Sequence, residues 1–216
     1  MENMPKIDVI TATENPIDVV SLAAGCCYGK DDVSFKRVKR CFDNGHMSVF
    51  EHASAVFKIS DISRSCSHQL VRHRLASYSQ RSQRYTKLTL DNLKNKDWYV
   101  IPPDILNDKT EMGRWDYDLC MEGFLVNYLG ALDKGCNAED ARFLLPEAAK
   151  TEIVCTMNAR EIFHFLQTRL SYRSQWEIRN VAISLVKALS NESEQWCSMM
   201  ELWSIGRQLV EEGKNE

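Results

Sequence analysis

Between Ile62 and Leu90 the chain carries no Asp or Glu, yet Arg72 to Tyr85 alone, RHRLASYSQRSQRY, holds four arginines and a histidine. This stretch restricts the fold more than any other. A guanidinium stays charged at every working pH, and burying one without a partner is strongly unfavourable. The stretch must therefore lie at a surface or line a site. Its counter-charges must come from solvent, from acids distant in sequence, or from an anionic ligand. The chain as a whole has no general attraction for anions, since 27 Lys and Arg against 30 Asp and Glu leave a formal net charge of −3. Any anion binding has to arise from a local cluster.

No apolar run approaches the length of a membrane span. The opening MENMPKIDVITATENP lacks the apolar core of a secretory signal. The eight cysteines are scattered and form no C-x-x-C pair, which predicts reduced thiols in a cytoplasm and no metal centre. No repeat, low-complexity tract or Pro/Gly/Ser linker divides the 216 residues, so a single domain over 1–216 is expected.

KIDVITAT alternates apolar and polar residues and predicts a strand. PIDVVSLAAGCCYG suits a short helix opened by Pro16, with Cys26 and Cys27 expected in buried apolar packing. SFKRVKRCFDNG repeats apolar positions at Phe35, Val38 and Phe42 and stops at Gly45. HASAVFKIS predicts a strand starting at His52. SRSCSHQLVRHR can be helical, with Cys66, Leu70 and His73 on one side and His68 structural, and a loop carrying the arginine cluster follows. WYVIPP predicts a short strand ended by two prolines. A long helix is expected from Thr110 to Lys134, ended by Gly135. Asn137 is placed to cap AEDARFLL, which Pro146 interrupts. EIVCTMN is β-like. AREIFHFLQTRL, QWEIRNVAISLVKALS and CSMMELWSIGRQLVEE are helical, and the Trp196, Met199, Met200 and Trp203 stripe reads as core or subunit contact. Helices and a few strands that do not alternate regularly predict an α+β fold.

Arg offers a planar fork of donors that matches phosphate or carboxylate. In the cluster, Arg72 and Arg74 lie two apart, and Arg81 and Arg84 are interleaved with Ser82 and Gln83, whose hydroxyl and amide can complete a phosphate cradle. Composition alone leaves three readings: cations facing solvent or paired across a subunit boundary, a nucleic-acid-binding module using residues 64–87, and a site for a small phosphorylated ligand. Neither G-x-G-x-x-G nor a P-loop is present, so any bound phosphates must be held by scattered Arg, His and hydroxyl groups.

The spacing R-H-R, seven residues, S-x-R is complete in Arg72, His73, Arg74, then Ser82, Gln83, Arg84. It resembles the signature of the flavin-dependent thymidylate synthases. Further stretches resemble the same family in order: GHMSVFEH from Gly45 to His52, Gln69 three residues before the motif, EDARFLLP, and MNAREIFHFLQTRLSYRSQWEIR. The likeness runs over roughly residues 5 to 190. It implies a single domain with a central, mainly antiparallel sheet flanked by helices. It also implies a homotetramer with sites shared between subunits, and no nucleic acid polymer or membrane as partner. The implied reaction is reductive methylation of dUMP to dTMP, with methylenetetrahydrofolate as one-carbon donor, NADPH as reductant and FAD as hydride carrier, and with no cysteine nucleophile.

Residue by residue, the resemblance assigns Ser48, Arg72, His73, Arg74, Gln80, Asn158, Arg160 and His164 to the flavin. It assigns Gln69, Arg72, Gln80, Arg81, Ser82, Gln83, Arg84, Arg142 and Arg169 to the nucleotide. Arg169 matches the arginine that polarises the uracil ring. A guanidinium beside the N3/O4 edge stabilises charge developing there and makes C5 nucleophilic. Three positions depart from common family forms. Ser79 stands where many members have Asn, Gln80 where many have a carboxylate, and Arg173 where some have His. Gln80 cannot serve as a base. Ser82 has no base nearby in sequence to activate it as a nucleophile. Glu51 has two readings, a hydrogen bond to flavin or a pair with an arginine of the cluster. His46 and His52 are read as a packing or turn-capping residue and a strand start, not as metal ligands.

Overall fold

The computed structural model describes residues 4–107 and 109–204. In chain order the elements are β1 (Lys6–Ala12), α1 (Pro16–Cys26), α2 (Phe35–Asp43), a 3-10 turn (Met47–His52), β2 (Ser54–Ser63), α3 (Arg64–Leu70) and β3 (Ala76–Gln80). There follow α4 (Leu90–Asn95), α5 (Pro103–Leu106), α6 (Arg114–Asp133), α7 (Ala138–Ala141), a 3-10 turn (Arg142–Leu144), β4 (Lys150–Asn158), α8 (Ala159–Arg169), α9 (Trp176–Glu192) and α10 (Glu194–Leu202). No described helix is long and apolar enough to cross a membrane. The chain divides into two compact units. The larger takes residues 4–60, 69–79 and 153–204, and the smaller takes 61–68 and 80–152.

The larger unit is built on a four-stranded sheet in the order β1-β2-β4-β3. β1 and β2 pair antiparallel from Lys6 opposite Ser60 to Ala12 opposite Ala55, with an irregularity between Val9 and Thr11. Alternation along β2 turns Ala55, Phe57 and Ile59 into the core. α9 lies against β1, α8 and α10. Its Ile178, Val181, Ala182, Leu185 and Leu189 recur at helical spacing, and all are buried. Gln175 and Ser193 cap α9 and α10 by accepting backbone N–H bonds. The Trp196–Met199–Met200–Trp203 stripe is core, and Trp196 Nε1 donates to Thr13 O at 3.0 Å. The predicted helix beyond Ser204 lies outside the described residues.

In the smaller unit, α6 presents Met121, Leu125 and Tyr128 to a core completed by Trp98, Tyr99, Ala141 and Ala149. α6 starts at Arg114, four residues later than predicted, and Gly135 adopts the left-handed φ of 87° that ends it.

Several expectations need correction. WYVIPP contributes only an isolated bridge, Tyr99 to Ala149, because the prolines that follow it cannot donate to a ladder. Asn137 occupies the cap position of α7, but its side chain makes no capping bond. His52 ends the 3-10 turn rather than starting β2. Cys26 and Cys27 are exposed, because α1 ends there and the chain turns away through Gly29 at φ 61°. His68 is exposed, 4.0 Å from Glu147. The segment expected to be a loop through the arginine cluster contains β3.

Candidate functional site

In the larger unit the site is organised by the start of α8. Asn158 caps that helix, its Oδ1 accepting from Glu161 N at 2.9 Å. With the first turn fixed, Arg160 and His164 fall four apart on one exposed stripe, while Glu161 faces inward and is buried. Against this stripe lies the turn that follows α3. His73 N bonds Leu70 O, and the Tyr78 hydroxyl sits 3.0 Å from Leu70 O and 2.8 Å from His73 O. Burial raises the Tyr78 pKa further above its ordinary value, so this hydroxyl stays a donor and pins the turn.

His73 is the hinge of the arrangement. Its side chain is only 5% exposed, with its ring edge-on to Phe165 at 5.0 Å and tilted to His164 at 5.7 Å. Arg169 Nε donates to His73 Nε2 at 3.0 Å. Burial, reinforced by the charges of Arg169 and His164, depresses the His73 pKa from 6.5 to about 4. The imidazole is therefore neutral near pH 7. With its Nε2 lone pair taken by Arg169, its proton sits on Nδ1, 3.6 Å from Glu161 Oε1. Burial also raises the Glu161 pKa, while His164 and Arg160 pull it down. His73, Glu161 and His164 bring ligand atoms within 4.8 Å of one another. This tautomer nevertheless leaves no lone pair on His73 Nδ1 for a metal, so metal binding would first have to break the Arg169 bond.

A pocket of about 440 Å³ opens here, lined by Arg72, His73, Arg74, Arg160, Glu161 and His164 together with Met47, Leu75, Phe163 and Gln167. The side chains of Arg72 and Arg74 form no ion pair with a described acid. Arg160 Nη1 is paired with Glu51 Oε1 at 2.5 Å. Glu51 thus finds an arginine on α8 rather than one within the cluster. Ser48 is exposed in the turn that also supplies Met47. Gln69 Nε2 reaches Gln175 Oε1 at 3.4 Å. Arg169 is half-buried, and its terminal NH2 groups have no hydrogen-bond partner among the described residues. Three guanidinium groups, a neutral imidazole and the Phe163 ring suit a diphosphate joined to a planar ring system.

The other predicted residues gather in the smaller unit. Gln80 Nε2 donates to Ser67 Oγ at 2.8 Å and Thr151 Oγ1 at 3.2 Å. Ser82 shapes a tight turn, its carbonyl accepting from Thr86 Oγ1 at 2.6 Å and its Oγ from Arg84 N at 3.2 Å. The Arg81 backbone N–H bonds Glu152 O, leaving its side chain exposed. Arg84 Nε pairs with Glu139 Oε2 at 2.7 Å, and Arg142 Nε donates to the carbonyl of the same Glu139 at 3.0 Å. Gln83 and Arg142 line a pocket of about 380 Å³ with Arg64, His68 and Glu147.

Sequence reasoning missed Glu161 and Tyr78. Glu161 looks like an ordinary acid in a helix's first turn, and only the apolar positions around it, Ala159 and Ile162, hint at burial.

Comparison with known proteins bears on the same residues. The family model described as thymidylate synthase complementing protein matches residues 8–193. A flavin-dependent thymidylate synthase of Geobacter sulfurreducens is 42% identical over 193 residues, covering 84% of this chain and 81% of that protein. One from Pyrococcus furiosus is 37% identical over 203 residues, covering 88% and 81%. Among solved structures, thymidylate synthase X from Helicobacter pylori with FAD and dUMP superposes with a TM-score of 0.72 at 26% identity, covering 89% of this chain and 96% of that one.

Proposed function

This chain belongs to the thymidylate synthase complementing protein family, the flavin-dependent thymidylate synthases, and on that premise we propose that it converts dUMP to dTMP. The balanced reaction is dUMP, methylenetetrahydrofolate, NADPH and a proton giving dTMP, tetrahydrofolate and NADP+. The observation that carries the proposal is the meeting of Arg169 with His73 of the RHR motif, beside a pocket to which Arg72, Arg74, Arg160 and His164 also contribute. These residues are far apart in sequence, and the family assigns all of them to cofactor or nucleotide.

FAD, when bound, supplies two-electron hydride chemistry that no side chain here can provide. Arg72, Arg74 and Arg160 neutralise its phosphates, and His73 and His164 border it. Ser48, Gln80 and Asn158 are the other proposed flavin contacts, Asn158 through the backbone it caps. Arg169 turns its free NH2 groups to the uracil edge and stabilises negative charge at N3/O4, making C5 nucleophilic. Gln69, Arg72, Gln80, Arg81, Ser82, Gln83, Arg84 and Arg142 hold the nucleotide, with Arg84 and Arg142 at its phosphate.

The match of one family model to residues 8–193 supports a single functional domain. We also propose a homotetramer whose sites draw on more than one chain. Support comes from the smaller unit, where Trp115 (73% exposed), Leu119, Val126 and Phe143 (83% exposed) present apolar surface to solvent. Eight free thiols support a reducing, cytoplasmic setting.

The test is dTMP formation by wild type and by Arg169→Ala, each with FAD, NADPH and methylenetetrahydrofolate. We expect product from the first and almost none from the second. No product from flavin-loaded wild type overturns the function, and equal turnover removes Arg169 from the chemistry.

A further inference from the structure

The larger unit holds a second cavity, of about 470 Å³, around the α1–α2 connection and α2 itself. Its charged lining is Lys30, Asp32, Lys36, Arg37 and Arg40, with His46 beside them. Asp32 is neutralised in place. Arg37 Nη2 donates to its Oδ1 at 2.8 Å, and this bond, with the nearby charge, holds the Asp32 carboxyl below its ordinary range. Arg37 is itself fixed by the carbonyls of Ser21 at 3.2 Å and Asp32 at 2.8 Å. Gly25 lets this wall close, because a Cβ there would overlap Lys30 O and crowd Arg37 Nη1. Lys30, Lys36 and Arg40, by contrast, form no ion pair among the described residues. Three cations outside any ion pair among the described residues thus line one cavity in a chain whose net charge is −3, although Lys30 is near enough to Asp32 to help lower its pKa. Lys36 and Arg40 stand one above the other on α2, separated by a rise of about 6 Å. Asn44 continues that face, and His46 follows the turn at Gly45, where φ is 71°.

We infer that this groove holds the anionic tail of a γ-linked polyglutamyl folate. The inference rests on the thymidylate synthase reading above. His46 lies two residues before Ser48, the position assigned to flavin. A co-substrate whose reactive ring reaches that segment can extend its far end along α2. Each γ-glutamyl residue adds five chain bonds and sets successive carboxylates about 6 Å apart, which matches the rise from Lys36 to Arg40. The cations are strung along a helix face on flexible stems. A compact phosphate would instead call for a converging fork with backbone N–H groups.

The experiment compares holoenzyme KM for methylenetetrahydrofolate bearing one or five γ-linked glutamates. It uses wild type, the double variant Lys36→Gln/Arg40→Gln, and Lys39→Gln as a control. Lys39 shares α2 but is paired with Asp43 at 2.8 Å. In the double variant the pentaglutamate KM should rise about fivefold, the scale of two exposed charge contacts. The monoglutamate KM, kcat and the Lys39→Gln enzyme should stay close to wild type. An unchanged pentaglutamate KM overturns the inference. So does a rise confined to NADPH and absent with NADH, which would assign the groove to a nucleotide phosphate. If wild type forms no dTMP from either folate, the underlying function has failed. Calorimetric titration with penta-γ-glutamate then decides the groove by itself, with binding weakened by the double substitution in its favour and no binding against it.

Discussion

Arg169 Nε donates to His73 Nε2 at 3.0 Å, joining residues 96 positions apart in the chain. The bond anchors the guanidinium through Nε, and its NH2 groups have no hydrogen-bond partner among the described residues. A lysine at this position would keep the charge but lose the planar fork and the Nε–H. Arg169→Lys should therefore lower kcat for dTMP formation about a hundredfold, the scale of losing one preorganised donor set. Flavin absorbance of the purified protein should persist. Turnover within twofold of wild type would show that the guanidinium's shape is irrelevant.

His73 carries a pH signature. Its pKa falls from 6.5 to about 4 on folding, so its contribution to stability is complete above pH 6.5 and is lost as pH drops through about 4. Glu161 works in the opposite sense. Its raised pKa gives a contribution present below its ordinary 4.5 and lost as pH rises through the raised value. The stability difference between wild type and the non-titrating His73→Gln should therefore shrink as pH falls from 6.5 towards 4. Urea midpoints across that range test this, and a constant difference would contradict the buried neutral imidazole.

Asn158 has two separable duties. Its Oδ1 caps α8, so Asn158→Ala should cost about 1 kcal/mol of stability. Asn158→Asp retains an accepting oxygen and should restore that loss, while placing a negative charge where flavin is proposed to bind. Thermal melts and flavin retention, measured on both variants, should diverge. If Asp fails to rescue stability, the cap is not what Asn158 provides.

Gln80 is explained by the proton inventory around it. Ser67 Oγ donates its single proton to Arg64 O at 2.8 Å, so it can only accept from residue 80, and an amide meets that need. Gln80→Glu should destabilise by roughly 1–3 kcal/mol, because the carboxylate faces an oxygen with no proton to offer. The penalty should be smaller in a Ser67→Ala background. A double-mutant cycle by urea denaturation reads the coupling, and additive effects would refute it.

Much of this architecture was legible in the sequence. The apolar positions of α9 recur at helical spacing, and β1 and β2 alternate at the period of a strand, because burial imposes those patterns directly. β3 escaped because its burial is only partial and its Ser and Gln positions read as loop. Cys26 and Cys27 misled because a cysteine's apolar character says nothing of where a helix ends. Arg72, His73, Arg74, Arg160 and His164, which line the first pocket, were singled out through motif spacing, which marks chemistry but not packing. Partners such as Glu51 for Arg160 and Glu139 for Arg84 were invisible, since ion pairing between distant segments leaves no periodicity. The burial of Glu161 was hidden for the same reason.

The pairing of Arg84 with Glu139 bears on how the nucleotide arrives. Arg84, the proposed phosphate ligand, already holds an internal anion through Nε, so on that proposal docking exchanges one negative partner for another rather than filling a bare charge. The proposal then makes the readiness of Glu139 to step aside a determinant of how tightly dUMP is held.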